Sequence, residues 1–199
     1  MTASIIVPAE ARASRRGLLK GVGQVGLSAV AITLLAGCES MAASDKKMMA
    51  AASPADDVAT LNTALSLEYQ AIAAYQVGAE SGLLQKPVLD VAVQFQGDHK
   101  KHAEVLAGTI TKLGGKPVMA KPAASYGFPT AQLKTQADVL RFAAGLEKGA
   151  ASAYLGAVPV FNNRDLAKAA ASILGDETMH WAVLLNALGE NPVPGAFIA

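Results

Sequence analysis

The strongest constraint on this chain is a pattern that occurs twice. Leu67-Glu68-x-x-Ala71-x-x-Ala74-Tyr75 returns as Leu146-Glu147-x-x-Ala150-x-x-Ala153-Tyr154, 79 positions on. Gly97-Asp98-His99-x-x-His102-x-x-Val105-Leu106 returns as Gly175-Asp176-Glu177-x-x-His180-x-x-Val183-Leu184, 78 positions on. Steps of three and four residues place side chains on one face of an α-helix. A helix pair present twice implies two similar hairpins about a pseudo-two-fold axis. Residues that match across it meet near the centre.

The spacing predicts four helices, over 56–79, 87–113, 136–158 and 165–188. Leu61, Leu65, Ile72 and Tyr75 form one apolar stripe of the first. Phe95, His99, His102, Leu106, Ile110 and Leu113 form one of the second. Pro87 suits a first helical turn, Thr135 with Asp138 an N-terminal cap, and Asn163 a second cap. Ser81-Gly82, Gly114-Gly115, Pro159 and Gly189 are the stops. The first two and last two helices are joined by short turns, so each pair is an antiparallel hairpin. Residues 114–134, with Gly115, Pro117, Pro122, Gly127 and Pro129, are too many for a tight turn. An extended segment of that length spans a bundle roughly 40 Å long. The expected fold is all-α: a four-helix bundle over 55–190 followed by a tail over 191–199.

Composition narrows the function. At 199 residues the chain fits one domain plus a tail. Its 17 Lys+Arg balance 16 Asp+Glu, with no basic block in the body, so nucleic acid is not an expected partner. Cys38 is the single cysteine, which excludes an intramolecular disulfide framework and a Cys-rich zinc module.

The repeated positions are those that could bind metal. Glu68 and Glu147 lie on apolar helix stripes, where a lone carboxylate carries a large desolvation cost. Glu177-x-x-His180 and His99-x-x-His102 each place two ligand-type side chains one turn apart on one face. The candidate set is therefore Glu68, His99, His102, Glu147, Glu177 and His180, and it holds all 3 histidines of the chain. Mixed carboxylate and imidazole donors suit iron or manganese, and also zinc. Two blander readings stand beside it: a satisfied polar core, and, for His99 and His102 beside Lys100 and Lys101, a solvated basic face. Tyr75 and Tyr154, seven residues past Glu68 and Glu147, read as core residues with hydrogen-bonded hydroxyls rather than redox tyrosines. Trp181 is expected to point away from the set. Met41, Met48 and Met49 read as incidental rather than as a copper site.

The order Glu, His-x-x-His, Glu, Glu-x-x-His on four helices resembles the ferritin-like di-iron carboxylate proteins, which carry a Glu on two helices and Glu-x-x-His on the other two. It is most similar to their exported bacterial members, over about residues 56–190. The resemblance implies two hairpins joined by a long crossover. It also implies a centre of two iron ions, or one, for Fe(II) oxidation or O₂ or peroxide reduction. Glu68 and Glu147 would be terminal ligands, Glu177 a bridge, and His102, His180 and His99 nitrogen donors. A non-catalytic structural or stress-protective module is the alternative. Iron storage needs a closed shell of subunits, to which a tethered chain is poorly suited. The chain departs from the family at His99, where the pattern has a bridging Glu. Three carboxylates against two divalent ions leave about +1 before any oxide or hydroxide. The set then holds two ions joined by Glu177 and solvent, or one. Asp98 lies about 100° around the helix and does not substitute.

Ser14-Arg15-Arg16-Gly17-Leu18-Leu19-Lys20 resembles a twin-arginine export signal, with Leu18 where Phe is usual. The apolar run that follows is short and diluted by glycine, so it reads as a removable signal over 1–37 rather than a membrane anchor. Leu35-Ala36-Gly37-Cys38 resembles a bacterial lipobox, which implies lipidation of Cys38; ordinary cleavage near Ala42 or Ala43 is the alternative. Glu39 rather than Asp follows the cysteine, so the resemblance implies a lipoprotein of the outer membrane, facing the periplasm. Removing 1–37 takes away Arg12, Arg15, Arg16, Lys20 and Glu10 and leaves 13 basic against 15 acidic residues. Residues 38–54 read as a flexible tether. Expected partners are the membrane through the lipid, a redox partner the sequence does not name, and a second copy of the chain.

Overall fold

The structure is a computed structural model and describes residues 54–198. The export signal, Cys38 and the tether lie outside the described residues, apart from Pro54, where the first helix begins. Four helices follow: α1 Pro54–Glu80, α2 Lys86–Lys112, α3 Gln136–Ala157 and α4 Arg164–Ala187. Each lies within three residues of its expected bounds. Among the described residues no helix is long and apolar enough to cross a membrane.

Local chemistry sets the helix ends. The Thr135 hydroxyl accepts from the Asp138 amide at 3.2 Å, and the Asp138 carboxylate accepts from the Thr135 amide at 2.9 Å. This reciprocal pair satisfies two amides that no helical carbonyl reaches. Asn163 caps α4 by accepting from the amides of Asp165 and Leu166. At the end of α2, Gly114 takes φ +79°, a region costly for a residue with a Cβ. The next residue, Gly115, lies so close to α1 that a Cβ would stand 2.6 Å from Val58 Cγ1.

The helices pack as two hairpins, α1 with α2 and α3 with α4, and α1 also packs on α3. The crossover between α2 and α3 is irregular except for short 3₁₀ turns at Ala123–Tyr126 and Thr130–Gln132. Asn62 holds its start to α1, donating to the Lys116 carbonyl at 3.2 Å and accepting from the Val118 amide at 2.8 Å. Phe128 stacks on Tyr126 and meets Phe142 of α3 edge-on, which seats its far end. Asp57, buried in the first turn of α1, accepts from the amides of Asn162 and Asn163 at 2.9 and 3.2 Å. It thereby ties α1 to the turn between α3 and α4.

The core has three layers along the bundle. One apolar layer is built from Leu61, Leu65, Leu106, Ile110, Tyr154 and Ile173. The other holds Tyr75, Phe95, Leu140, Ala144 and Leu184. Between them lies a polar layer of Glu68, His99, Glu147, Glu177 and His180, all buried. Leu113, expected on the inner stripe of α2, is the cap residue of that helix and turns outward at 36% exposure.

Candidate metal centre

The repeat places a polar side chain from each helix at the same height between the two apolar layers. Glu68 comes from α1, His99 and His102 from α2, Glu147 from α3, and Glu177 and His180 from α4. All six expected residues converge. His102 alone keeps an edge toward solvent. The solvated basic face fails for His99, which is 1% exposed, whereas Lys100 and Lys101 point outward.

Two groups of candidate donors share this layer: Glu68, His99, His102 and Glu177, and His99, Glu147, Glu177 and His180. Within each, one donor atom per residue lies within 4.8 Å of the others. His102 Nδ1 stands 3.3 Å from a Glu177 oxygen and 3.5 Å from a Glu68 oxygen. His180 Nδ1 stands 3.6 Å from Glu147 Oε2 and 4.0 Å from Glu177 Oε2. Two nitrogen or oxygen donors on one ion stand at most about 4.0–4.4 Å apart, twice a metal–ligand bond. These separations fit.

Five buried polar atoms among the described residues have no hydrogen-bond partner: His102 Nδ1, Glu147 Oε2, both Glu177 oxygens and His180 Nδ1. All five belong to this layer. A buried polar group left unpaired costs roughly 1–3 kcal/mol. Five such atoms gathered in one layer fit a cation, and the donor set suits iron, manganese or zinc.

The oxygens that are paired have partners of high specificity. Tyr75 donates its hydroxyl to Glu147, and Tyr154 donates to Glu68, so each tyrosine reaches across to the other hairpin. The expectation of core tyrosines with hydrogen-bonded hydroxyls matches this placement. His99 lies between the hairpins, with Nδ1 2.9 Å from Glu68 and Nε2 3.3 Å from Glu147. Phe95 stacks on His180 with ring centroids 3.9 Å apart and fixes its plane. Trp181 packs against the apolar layer of Tyr75 and lies beneath Lys148, away from the centre.

Charge follows from this packing. Burial alone would lower the His99 pKa, but hydrogen bonds with Glu147 and Glu68 outweigh it and bring it to about 10. His102 follows the same balance, with Glu177 and Glu68 as partners, to about 9. Burial raises Glu177 to about 8, helped by the neighbouring Glu147 and opposed by His102. Burial also pushes Glu147 up, yet His180 and His99 overcome it and hold the carboxyl well below its usual range. Glu68 is lowered in the same way by His102 and His99. Burial and the adjacent carboxylates raise both tyrosines, which therefore stay protonated donors.

Asp98 and Asp176 form an outer ring that the sequence reading left without a role. Asp176 lies 3.3 Å from His102 Nε2 and 3.5 Å from His180 Nε2, and Asp98 lies 3.7 Å from His180 Nε2. Both face the ring edges turned away from the buried carboxylates, so Asp98 does not replace the carboxylate missing at position 99. Carboxylates behind imidazoles orient them for a metal. The signal was present, because Gly-Asp precedes the ligand position in both copies of the repeat. On the same side, a surface cavity of about 520 Å³ is lined by Lys101, His102 and Asp176.

The chain belongs to the ferritin-like domain family, whose model matches residues 56–190. Among solved structures it is similar to the conserved hypothetical protein rv2844 from Mycobacterium tuberculosis, with 24% identity and a TM-score of 0.62, over 73% of this chain and 99% of that one. It is also similar to ferritin-like, diiron-carboxylate proteins from Bacillus anthracis str. Ames, with 25% identity and a TM-score of 0.57, over 66% of this chain and 94% of that one. No curated protein matches the chain.

Proposed function

We propose that this chain is an exported ferritin-like protein whose buried Glu/His layer holds iron for Fe(II) oxidation or for reduction of O₂ or peroxide. The observation that carries this reading is that five unpartnered buried donor atoms gather in one polar layer between the helices, in two groups that share Glu177. The similarity to diiron-carboxylate proteins supports iron over manganese or zinc. Glu147, Glu177 and His180 would hold the iron, which when bound would supply an electron to an oxidant. Phe95 stacks on His180 and holds its ring in a fixed plane. Tyr75 and Tyr154 each hold one oxygen, of Glu147 and of Glu68, by a donated hydroxyl. The apolar layers above and below exclude bulk water. The depression at His102 and Asp176 leaves one polar approach from solvent.

Export by a twin-arginine-like signal and a lipid on Cys38 would place this centre on the periplasmic side of the outer membrane. Support lies in Arg15-Arg16 and in Leu35-Ala36-Gly37-Cys38. Twin-arginine export carries folded proteins, which suits a site loaded before transport.

A structural, non-catalytic role is favoured by one observation: His99 engages one oxygen of Glu68 and one of Glu147 without an ion. Aerobic addition of Fe(II) to metal-free protein separates the two. Ferric absorbance rising faster than in a protein-free control, and lost in Glu177→Gln, supports the oxidase reading. A rate equal to the control, in protein that has taken up iron, supports the structural one.

A further inference from the structure

His99 occupies in α2 the position that Glu177 occupies in α4, so the repeat breaks at one point and the two halves of the polar layer differ. On one half, that of Glu68, His99, His102 and Glu177, two of the four residues are already fully engaged. Glu68 accepts from Tyr154 on one oxygen and faces His99 Nδ1 with the other. His99 has spent its second nitrogen on Glu147 Oε1, which also accepts from Tyr75. Only His102 Nδ1 and the Glu177 oxygen 3.3 Å from it are unpartnered there.

On the other half three residues each turn a free donor inward. Glu147 Oε2, Glu177 Oε2 and His180 Nδ1 have no partner, and His180 Nδ1 lies within 4.0 Å of both oxygens. From this asymmetry we propose that the chain holds one divalent transition-metal ion, at Glu147, Glu177 and His180, with the His99 ring standing in place of a second ion. The ring cross-links Glu68 on α1 to Glu147 on α3, as a cation shared between two carboxylates would. A second ion on the Glu68 oxygen that faces His99 and His102 would displace His99 from it, and that loss leaves a buried polar group unpaired. The inference rests on the metal-centre reading above and narrows it to one ion.

The test is an anaerobic titration of the full chain with Mn(II), read by calorimetry and by electron paramagnetic resonance. The expected result is one tight Mn(II) per chain with the six-line signal of an isolated ion. Loss of an outer partner of a metal ligand weakens binding roughly 10–100-fold. Glu147→Gln and His180→Gln are expected to exceed that loss, and Glu68→Gln to stay at or below it. His99→Glu restores the repeat and is expected to bind a second Mn(II), with the two signals exchange-coupled. Should His99→Glu fail to fold by circular dichroism, the contrast of Glu68→Gln with Glu147→Gln and His180→Gln decides the matter. Two tight ions in the wild type, or Glu68→Gln as damaging as Glu147→Gln, overturns the single-ion inference and leaves the metal-centre reading standing. No Mn(II), Fe(II) or Zn(II) uptake at all overturns both.

Discussion

Tyr154 donates its hydroxyl to Glu68 at 2.5 Å, joining residues 86 apart in sequence and two helices from different hairpins. Tyr75 does the same for Glu147 in the opposite sense. The repeat thus produces a pair of reciprocal ties, each tyrosine anchoring the carboxylate of the other hairpin. Hydrogen bonds to charged groups contribute about 1.5–3 kcal/mol. Tyr154→Phe keeps the ring in the core and removes only the donor. It should destabilise the metal-free domain by about 1–3 kcal/mol, measured by urea denaturation. An unchanged midpoint would show that Glu68 finds another donor.

A second expectation concerns pH. Folded His99 and His102 bind their protons up to about 10 and 9, against 6.5 ordinarily, and folded Glu177 up to about 8, against 4.5. Above the ordinary values the folded state therefore carries more protons than the unfolded one, and stability falls as pH rises. The contribution of Glu177 is complete below pH 4.5 and fades through 8; those of the histidines are complete below 6.5 and fade through 9 and 10. Glu68 and Glu147, shifted downward, act oppositely and lose their contribution only as pH drops below 4.5. Melting temperatures of the metal-free protein should peak near pH 5 and decline toward pH 10. Metal uptake should release protons and tighten over the same interval. A flat profile between pH 6 and 10 would contradict the charge assignment.

The helix bounds were legible because period and punctuation agree to within a few residues, Leu113 at the end of α2 being the stripe residue that the cap turns outward. Thr135 with Asp138, Asn163 and Gly114 each announce a helix end by a local mechanism. The six candidate ligands were legible because the repeat singles them out. Hydrogen-bond partners across hairpins were not, since Tyr75 with Glu147 and Asp57 with Asn162 depend on how helices distant in sequence are placed. Nor was the position of His99, whose ring reaches both hairpins at once.

Asp57 offers a test of the tie between α1 and the α3–α4 turn. Asp57→Ala leaves the Asn162 and Asn163 amides without their acceptor in a partly buried place. The expected loss is about 1–3 kcal/mol in chemical denaturation, with the metal stoichiometry of the folded protein unchanged.

Gly115 tests packing at the start of the crossover. A Cβ there would stand 2.6 Å from Val58 Cγ1 and 3.0 Å from Ile110 Cγ2. Gly115→Ala should cost about 1–3 kcal/mol through overpacking. Combining it with Val58→Ala should recover part of the loss, as a thermal melt of the double variant will show.

The proposal for the N-terminus has its own assay. Cys38→Ala should leave the protein exported and move it from the membrane fraction to the soluble periplasm. A wild-type protein already soluble there, with a mature start beyond Cys38, would contradict the lipoprotein assignment.

The central claim is that the Glu/His layer binds metal, and the most direct test is metal content set against Glu177. Elemental analysis of the purified full chain should find bound iron, manganese or zinc that survives dialysis. Chelation should lower the melting temperature, since binding to the folded state alone adds about 2.7 kcal/mol at a hundredfold excess over the dissociation constant. Glu177→Gln, which alters the side chain with both oxygens unpartnered, should abolish both the metal and the chelation response. Wild-type protein that carries no metal, takes none up and melts identically with and without chelator would contradict the account.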